Sequence, residues 1–295
     1  MDLTCPACCA SGKPLSVVVE NRYRLIRCMS CRSQYFRPDP NLHVIDSDGT
    51  SEYWEQFKFE LYADPTIQAA FGARYNEVLD EARGHTSPVD SILDIGCGIG
   101  NFLEHAQSVG LRAVGSDVDS TAIEHARERG LTAHVADELS TAVPDGSMDA
   151  MSLWDVVEHL FDPVAVLEQV VPKVRSGGAI LIETPDGAFP VRTALLAAHR
   201  LSGGRLDRLT DPMYYWEHKI YFTERGLGAL LGRVGVDLVW VRRETSLREK
   251  MDVDFAHHND GSLVRSFLDN AWPVMEGTFR RLGRGNKLLA VGRVR

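Results

Sequence analysis

The chain has 295 residues, with 41 acidic against 32 basic side chains and a formal net charge of −9, a balance that speaks against a general surface for nucleic acid or anionic lipid. Hydrophobic residues make up 44% and charged residues 25%, ordinary globular values, and the length suits one α/β domain with additions. No apolar run approaches membrane-spanning length, and Met1-Asp2-Leu3-Thr4-Cys5 lacks the basic region and apolar core of a secretion signal, so the expected location is the cytoplasm, with no membrane partner.

All but one of the cysteines fall within the first 31 residues, a metal-site distribution for a reducing compartment. Cys5-Pro6-Ala7-Cys8 and Cys28-Met29-Ser30-Cys31 form two Cys-x-x-Cys knuckles about twenty residues apart, separated by stretches that alternate enough for a hairpin. Four thiolates so spaced give a closed tetrahedral site for structural Zn2+ with no open position for chemistry. Cys9 is spare, and a redox pair would want one knuckle beside a βαβ unit. The reading is a small zinc ribbon over residues 1–40, closed by Arg37-Pro38-Asp39-Pro40.

Residues 41–87 read as a polar linker followed by a helical lid. Tyr53, Trp54, Phe57, Phe59, Leu61 and Tyr62 crowd one short helical stretch; core packing is the ordinary use of such a stripe, and Tyr53 or Trp54 over a ligand is the sharper one. A second helix is expected from about Thr66 to Arg83, ended by Gly84.

Residues 88–295 open with Ile92-Leu93-Asp94-Ile95-Gly96-Cys97-Gly98-Ile99-Gly100-Asn101-Phe102, which reads as strand, tight turn and helix N-terminus. Glycines at such a turn let a ligand touch backbone at the carboxyl end of a strand. A dinucleotide fingerprint would need a small residue where Asn101 stands. Strand two, Leu111 to Ser116, ends at Asp117, roughly 20 residues on, where an acid can accept from two ribose hydroxyls; Asp119 reads as the cap of the helix from Ser120. Strand three, Leu131 to Ala136, ends at Asp137. Strand four, Ala150 to Trp154, runs into Asp155-Val156-Val157-Glu158-His159, polar groups placed where a parallel sheet holds its ligand. Asp162-Pro163 starts a helix, and Ser176-Gly177-Gly178 is expected to end it before strand five, Ala179 to Thr184.

This order, Asp94-x-Gly96-x-Gly98-x-Gly100, an acid after strand two, Pro144-Asp145-Gly146-Ser147-Met148-Asp149, Trp154-Asp155-Val156-Val157-Glu158-His159 and Gly177-Gly178 with Pro185 beyond, resembles the class I S-adenosylmethionine-dependent methyltransferases acting on small molecules. The resemblance covers about residues 88 to 243. It implies a Rossmann-like α/β fold with a seven-stranded, mostly parallel sheet whose last strand is antiparallel. It implies S-adenosyl-L-methionine as cofactor, held by Asp94, Gly96, Cys97, Gly98, Gly100, Asn101, Asp117 and Asp137, with Trp154 and Asp155 near its methionine end.

Insertions at about 186–222 and 245–285 are expected to wall the substrate pocket. In the first, Tyr215-x-Glu217-His218 is similar to a motif of sugar C-methyltransferases that also carry an N-terminal zinc module, although the additional C-terminal domain of those enzymes is missing here. His218 and His159 are the candidate bases, since histidine titrates near working pH; Glu217 or Tyr215 would orient the base or the acceptor. Arg192, Arg200, Arg205 and Arg208 either meet an anionic acceptor or are solvated. In the second insertion Ser262 to Leu282 is amphipathic and interrupted at Pro273, as core, dimer face or pocket wall. Thr223 to about Gly232 reads as a helix, Val236 to Val241 as strand six and Lys287 to Val294 as the last strand. The expected function is methyl transfer to oxygen or carbon of a small molecule, a sugar or natural-product intermediate. The competing reading is a non-catalytic adaptor that binds the cofactor and contacts protein or nucleic acid through the ribbon.

Overall fold

The computed structural model describes residues 2–19, 23–38, 64–203, 213–214, 217–246, 277–279 and 281–295. Strands β1 (Gly12–Val19) and β2 (Tyr23–Cys28) make the expected antiparallel hairpin. A third strand, β3 (Gln34–Pro38), precedes and takes in the first two residues of the stretch read as the module's close, Arg37-Pro38; Asp39 and Pro40 lie outside the described residues. Helix α1 (Pro65–His85) starts at Asp64, whose carboxylate accepts the Thr66 and Ile67 amides. The aromatic stretch with Tyr53 and Trp54 lies outside the described residues.

The parallel part of the main sheet follows the expected alternation. Strand β4 (Ser91–Ile95) leads to α2 (Asn101–Ser108), β5 (Arg112–Asp117) to α3 (Ser120–Glu128), and the short β6 (Ala133–Val135) to α4 (Leu139–Ala142). Strand β7 (Met148–Trp154) precedes α5 (Pro163–Val170), begun by Asp162 capping the Ala165 amide. Strand β8 (Val174–Pro185) already contains Ser176-Gly177-Gly178. The glycine pair does not end a helix: Gly178 is pressed against the next strand, where a Cβ would lie 2.5 Å from the Asp149 carbonyl oxygen. Helix α6 (Pro190–Leu201), the two-residue β9 (Ile220–Tyr221), α7 (Glu224–Arg233), β10 (Val236–Glu244) and β11 (Lys287–Val294) complete the chain.

The main sheet runs β10-β11-β8-β7-β4-β5-β6, with β11 antiparallel to both neighbours and the rest parallel. Every residue of β4 is buried, as a central parallel strand covered on both faces requires. One face packs Val78, Leu79 and Ala82 of α1 and Phe102 and Leu103 of α2 over Ile92, Leu181 and Leu289. The other packs α5 and α7 over Leu93, Met151, Ile180 and Ala290.

The ribbon is built into that second face. Strand β3 pairs antiparallel with β9, Tyr35 against Ile220 and Gln34 against Tyr221, so the hairpin sheet runs β1-β2-β3-β9. Cys5, Ala7, Ile26, Cys28, Cys31 and Tyr35 belong to the same apolar cluster as Ile220, Phe222, Leu227 and Leu230. Thr223, the α7 N-cap, donates its hydroxyl to the Cys31 carbonyl (2.6 Å) and its amide to Ser33 Oγ (3.1 Å). Among the described residues no helix is long and apolar enough to cross a membrane. Most of the amphipathic stretch from Ser262 falls outside the described residues.

Candidate active site

The glycine turn after β4 uses backbone that side chains resist. Gly96, Gly98 and Gly100 take φ values of 73°, 51° and 88°, the left-handed region open to glycine at little cost. Gly100 does not line the cleft; it caps α2, and a Cβ there would lie 2.4 Å from Leu131 Cδ1. Gly98 donates its amide to Asp117 Oδ2 at 2.8 Å, while Asp117 Oδ1 accepts the Asp119 amide at 3.0 Å. A carboxylate offers about four acceptor directions, and these two amides take one on each oxygen. Burial pushes the Asp117 carboxyl up, against the pull of these amides. Asp119 caps α3 through the Thr121 and Ala122 amides.

Asp94, Gly96, Cys97, Gly98, Asn101, Trp154 and Asp155 line one cleft together with Phe71, Tyr75, Ile99, Phe102 and Glu183, with about 570 Å³ of empty space counting its open mouth. Asp94 is 2% exposed and accepts Ser152 Oγ at 2.7 Å. Desolvation lifts its pKa to about 8, with Asp117 adding in the same direction. Burial likewise pushes the Cys97 thiol up, so it stays a thiol. Tyr75 packs against Phe102 and Trp154, ring centroids 4.8 Å apart in both pairs. The Trp154 Nε1 hydrogen is buried with no partner among the described residues, a donor that a ligand can satisfy. Asp137 is exposed in the single turn after β6 and outside the lining of this cleft.

Beneath the mouth runs a buried charge chain. Arg74 of α1 contacts Glu183 (3.3 Å) and the Thr245 carbonyl (2.7 Å), Lys287 stands 3.8 Å from Glu183, and Lys287 also pairs with Asp155. Two cations and two anions balance, which is what makes them tolerable away from water. Asp155 carries a φ of 55°, an uncommon conformation for a residue with a side chain, and such outliers concentrate at functional sites.

Next to Asp155, the Val157–His159 turn meets the segment before β9. His159 and His218 lie edge to face with ring centroids 4.8 Å apart, and His159 Nδ1 bonds the Glu217 carbonyl at 3.1 Å. His218 Nε2 is 4.0 Å from Oε1 of Glu158, whose Oε2 accepts Thr184 Oγ1 at 2.9 Å. Glu158 Oε1 has no hydrogen-bond partner among the described residues. Burial and the Asp155 charge push the Glu158 carboxyl well above the usual range. Burial, then His159 and Lys287, hold His218 well below an ordinary histidine, so its imidazole is neutral near pH 7. Glu217 meets this group through its carbonyl; Tyr215 lies outside the described residues. Arg192 is not a solvated loop arginine: it is 7% exposed, with its guanidinium 4.0 Å from the Tyr221 ring. Arg200 is exposed, and Arg205 and Arg208 lie outside the described residues.

The four knuckle cysteines bring their sulfur atoms within 4.8 Å of one another, with Cys5 Sγ to Cys31 Sγ at 3.7 Å and Cys8 Sγ to Cys28 Sγ at 3.4 Å. Thiolates placed tetrahedrally at about 2.3 Å from zinc stand roughly 3.8 Å apart, so the cluster fits such an ion. Cys9 and Arg32, each following the second cysteine of a knuckle, share left-handed φ values of 59° and 69°.

A family model described as a methyltransferase domain matches residues 54–241, well over half of the chain. The chain belongs to the methyltransferase family. It is 28% identical over 115 residues to a "Probable S-adenosylmethionine-dependent methyltransferase" of Mycolicibacterium smegmatis, covering 38% of this chain and 45% of that protein. It is 33% identical over 101 residues to the ubiquinone biosynthesis O-methyltransferase of Aeromonas salmonicida, covering 32% of this chain and 42% of that one. The chain thus spans less than half the length of these two relatives. A solved structure of a methyltransferase from Archaeoglobus fulgidus superposes with a TM-score of 0.51 at 19% identity, over 82% of this chain and 99% of that one, a likeness of fold.

Within this methyltransferase, sequence reasoning missed Phe71, Tyr75, Glu183 and Lys287 as site residues. Phe71 and Tyr75 stand four apart, the spacing of neighbours on one helix face, and that was the available signal. Glu183 sits within β8 and Lys287 at the start of β11, where nothing local announces a charge chain.

Proposed function

We propose that this methyltransferase uses S-adenosyl-L-methionine to methylate an oxygen or carbon of a small molecule, a sugar or natural-product intermediate. The observation that carries the reading is that Asp155 joins two groups: it lines the cleft of the glycine turn, where Asp117 holds the Gly98 amide, and its charge acts on a neutral His218 beside Glu158 and His159. The residues fit the cofactor: the glycine turn lines the cleft, Asp117 stands behind it on the Gly98 amide, and the Trp154 indole N–H in the cleft lining has no partner among the described residues. Asp117 would hold the ribose, and Asp94, Gly96, Cys97, Gly98 and Asn101 would line its bed, with Gly100 shaping the turn. Trp154 and Asp155 would lie toward the methionine end, and Asp137 would take the adenine from outside the cleft. The cofactor, when bound, supplies an activated methyl group and its own leaving group.

The chain's residues then have two tasks. One is positioning, which carries much of the barrier of a displacement; the aromatic wall of Phe71, Tyr75 and Trp154 supplies it. The other is proton removal from the acceptor, assigned to His218, with His159 as its neighbour and Glu217 and Tyr215 orienting base or acceptor. Burial keeps the His218 imidazole in the neutral form that can accept a proton, while lowering its proton affinity. Ubiquinone O-methyltransferases among the relatives favour oxygen over carbon. The Cys5-Cys8-Cys28-Cys31 cluster would hold structural zinc. The adaptor alternative loses support because β3 is already spent on β9 within the chain.

The test is incubation with methyl-labelled S-adenosylmethionine and an extract of the cells that make the protein, separating small molecules from polymers. Label in a small molecule is expected. Label only in protein or RNA would reverse the substrate class, and cofactor binding without any transfer would restore the adaptor.

A further inference from the structure

We propose that Gln34, in the third strand of the ribbon, is a positioning residue for the acceptor side of the site: its buried amide joins the Gly187 turn to Tyr214, and through them it sets where His218 stands. The term acceptor side rests on the methyl-transfer reading; the geometry does not.

Gln34 is fully buried. A primary amide in such a place loses free energy for each hydrogen bond it fails to make, and Gln34 makes one on each side. Its Nε2 donates to the Gly187 carbonyl at 3.0 Å, and its Oε1 accepts from the Tyr214 hydroxyl at 2.7 Å. The carbonyl can only accept, which decides which way the amide faces. Residues 34, 187 and 214 are thereby tied at one point although they are remote in sequence.

Each tie leads to His218. Gly187 donates its amide to the Phe222 carbonyl at 2.7 Å, and a Cβ on Gly187 would lie 2.4 Å from the Tyr221 carbonyl oxygen. Tyr214 packs edge-on against Tyr221 at 5.4 Å, and Tyr221 edge-on against His218 at 5.6 Å. Strand β3 itself grips the residue after His218, because the Phe36 amide donates to the Lys219 carbonyl at 2.9 Å. On its other side the imidazole meets Glu158 and His159, with the charges of Asp155, Lys287 and Arg192 acting on it. The ribbon therefore backs the segment that carries His218, through Gly187, Tyr214 and the Lys219 carbonyl.

The experiment uses the full-length, zinc-loaded protein with carbon-13-labelled histidine. Each imidazole is followed by NMR through a pH titration, with His218 and His159 assigned from single-site variants, and affinity for S-adenosylhomocysteine is measured by calorimetry. Gln34→Met keeps the length and removes both hydrogen bonds; Tyr214→Phe removes one. In the unaltered protein His218 is expected to titrate well below about 6.5, and in Gln34→Met to move up by about one pH unit, a tenfold gain in proton affinity. Tyr214→Phe should fall between, and both variants should keep cofactor affinity within about twofold, since the glycine turn is untouched. An unmoved His218 in Gln34→Met would overturn the proposal, reducing Gln34 to a space filler. So would a loss of cofactor affinity accompanied by shifts of every histidine, which marks a global effect. Should Gln34→Met fail to fold, Tyr214→Phe decides alone by the same two readings. None of these readings requires turnover, so absence of label transfer in the unaltered enzyme would sink the functional reading separately.

Discussion

Replacing Asp94 by asparagine should stabilise the protein, and only on the alkaline side. Its residue is 2% exposed, and its carboxylate accepts a hydrogen bond from the Ser152 hydroxyl. Desolvation raises its pKa from 3.8 to about 8. Between those values the folded chain holds a proton that the unfolded chain has released, so stability falls as pH rises through this window and the loss is complete above about pH 8. A shift of this size, at about 1.4 kcal/mol per unit, sets a ceiling of about 5–6 kcal/mol, which water entering from the cleft reduces. Asp94→Asn keeps a carbonyl for Ser152 and removes the titration. Urea unfolding without cofactor should therefore find the variant about 2–5 kcal/mol more stable near pH 8.5 and within about 1 kcal/mol of the original near pH 4. An equal difference at both ends would refute the burial argument, because it would not depend on ionisation.

Asp117→Ala removes the acceptor of the Gly98 amide and the proposed ribose partner; cofactor affinity, read by calorimetry with S-adenosylhomocysteine, should fall about 10- to 100-fold, as for a hydrogen bond to a charged group worth about 1.5–3 kcal/mol. His218→Ala should lower labelled methyl transfer about 10²- to 10⁴-fold with cofactor affinity unchanged, and undiminished transfer removes it as base. Gly226→Ala places a Cβ 1.9 Å from Ser33 Oγ and 3.4 Å from Cys31 Sγ. Ser33 can rotate away only by giving up the Thr223 amide, so the better helix propensity of alanine is outweighed and a net cost of about 1–2 kcal/mol is expected in thermal unfolding. Zinc chelation should speed amide exchange at Tyr35, Ile220 and Tyr221 before that of Ile92 and Leu93; simultaneous release would mean that the ribbon and the main sheet unfold as one unit.

Much of the architecture was written locally. The apolar run into Asp94, the glycines at every second position, Asp119 and Thr223 as helix caps and the Asp162-Pro163 start are decided within a few residues by backbone sterics and orphan amides, so spacing alone reveals them. The cysteine knuckles are equally legible, because metal ligation restricts both residue type and interval. Where local preference ran two ways the reading erred: Gly177-Gly178 looked like a helix end, and contact with Asp149 made it part of β8.

What the tertiary structure decided is everything that depends on which distant segments meet. The two-residue pairing of β3 with β9 carries no periodicity to read, yet it fastens the ribbon to the segment beside His218. Arg192 had the composition of a solvated loop residue and became a buried cation over Tyr221. His159 and His218 were legible as single candidates, but their neighbourhood was not, nor was the charge chain from Arg74 to Asp155 beneath the cleft. Sequence alone determined the class of fold and the positions where backbone could cradle a ligand, since those follow from interactions within a few residues. The electrostatics of the site waited on the fold, because desolvation and charge pairing are properties of packed surroundings, set by residues that the chain brings together only when the sheet is complete.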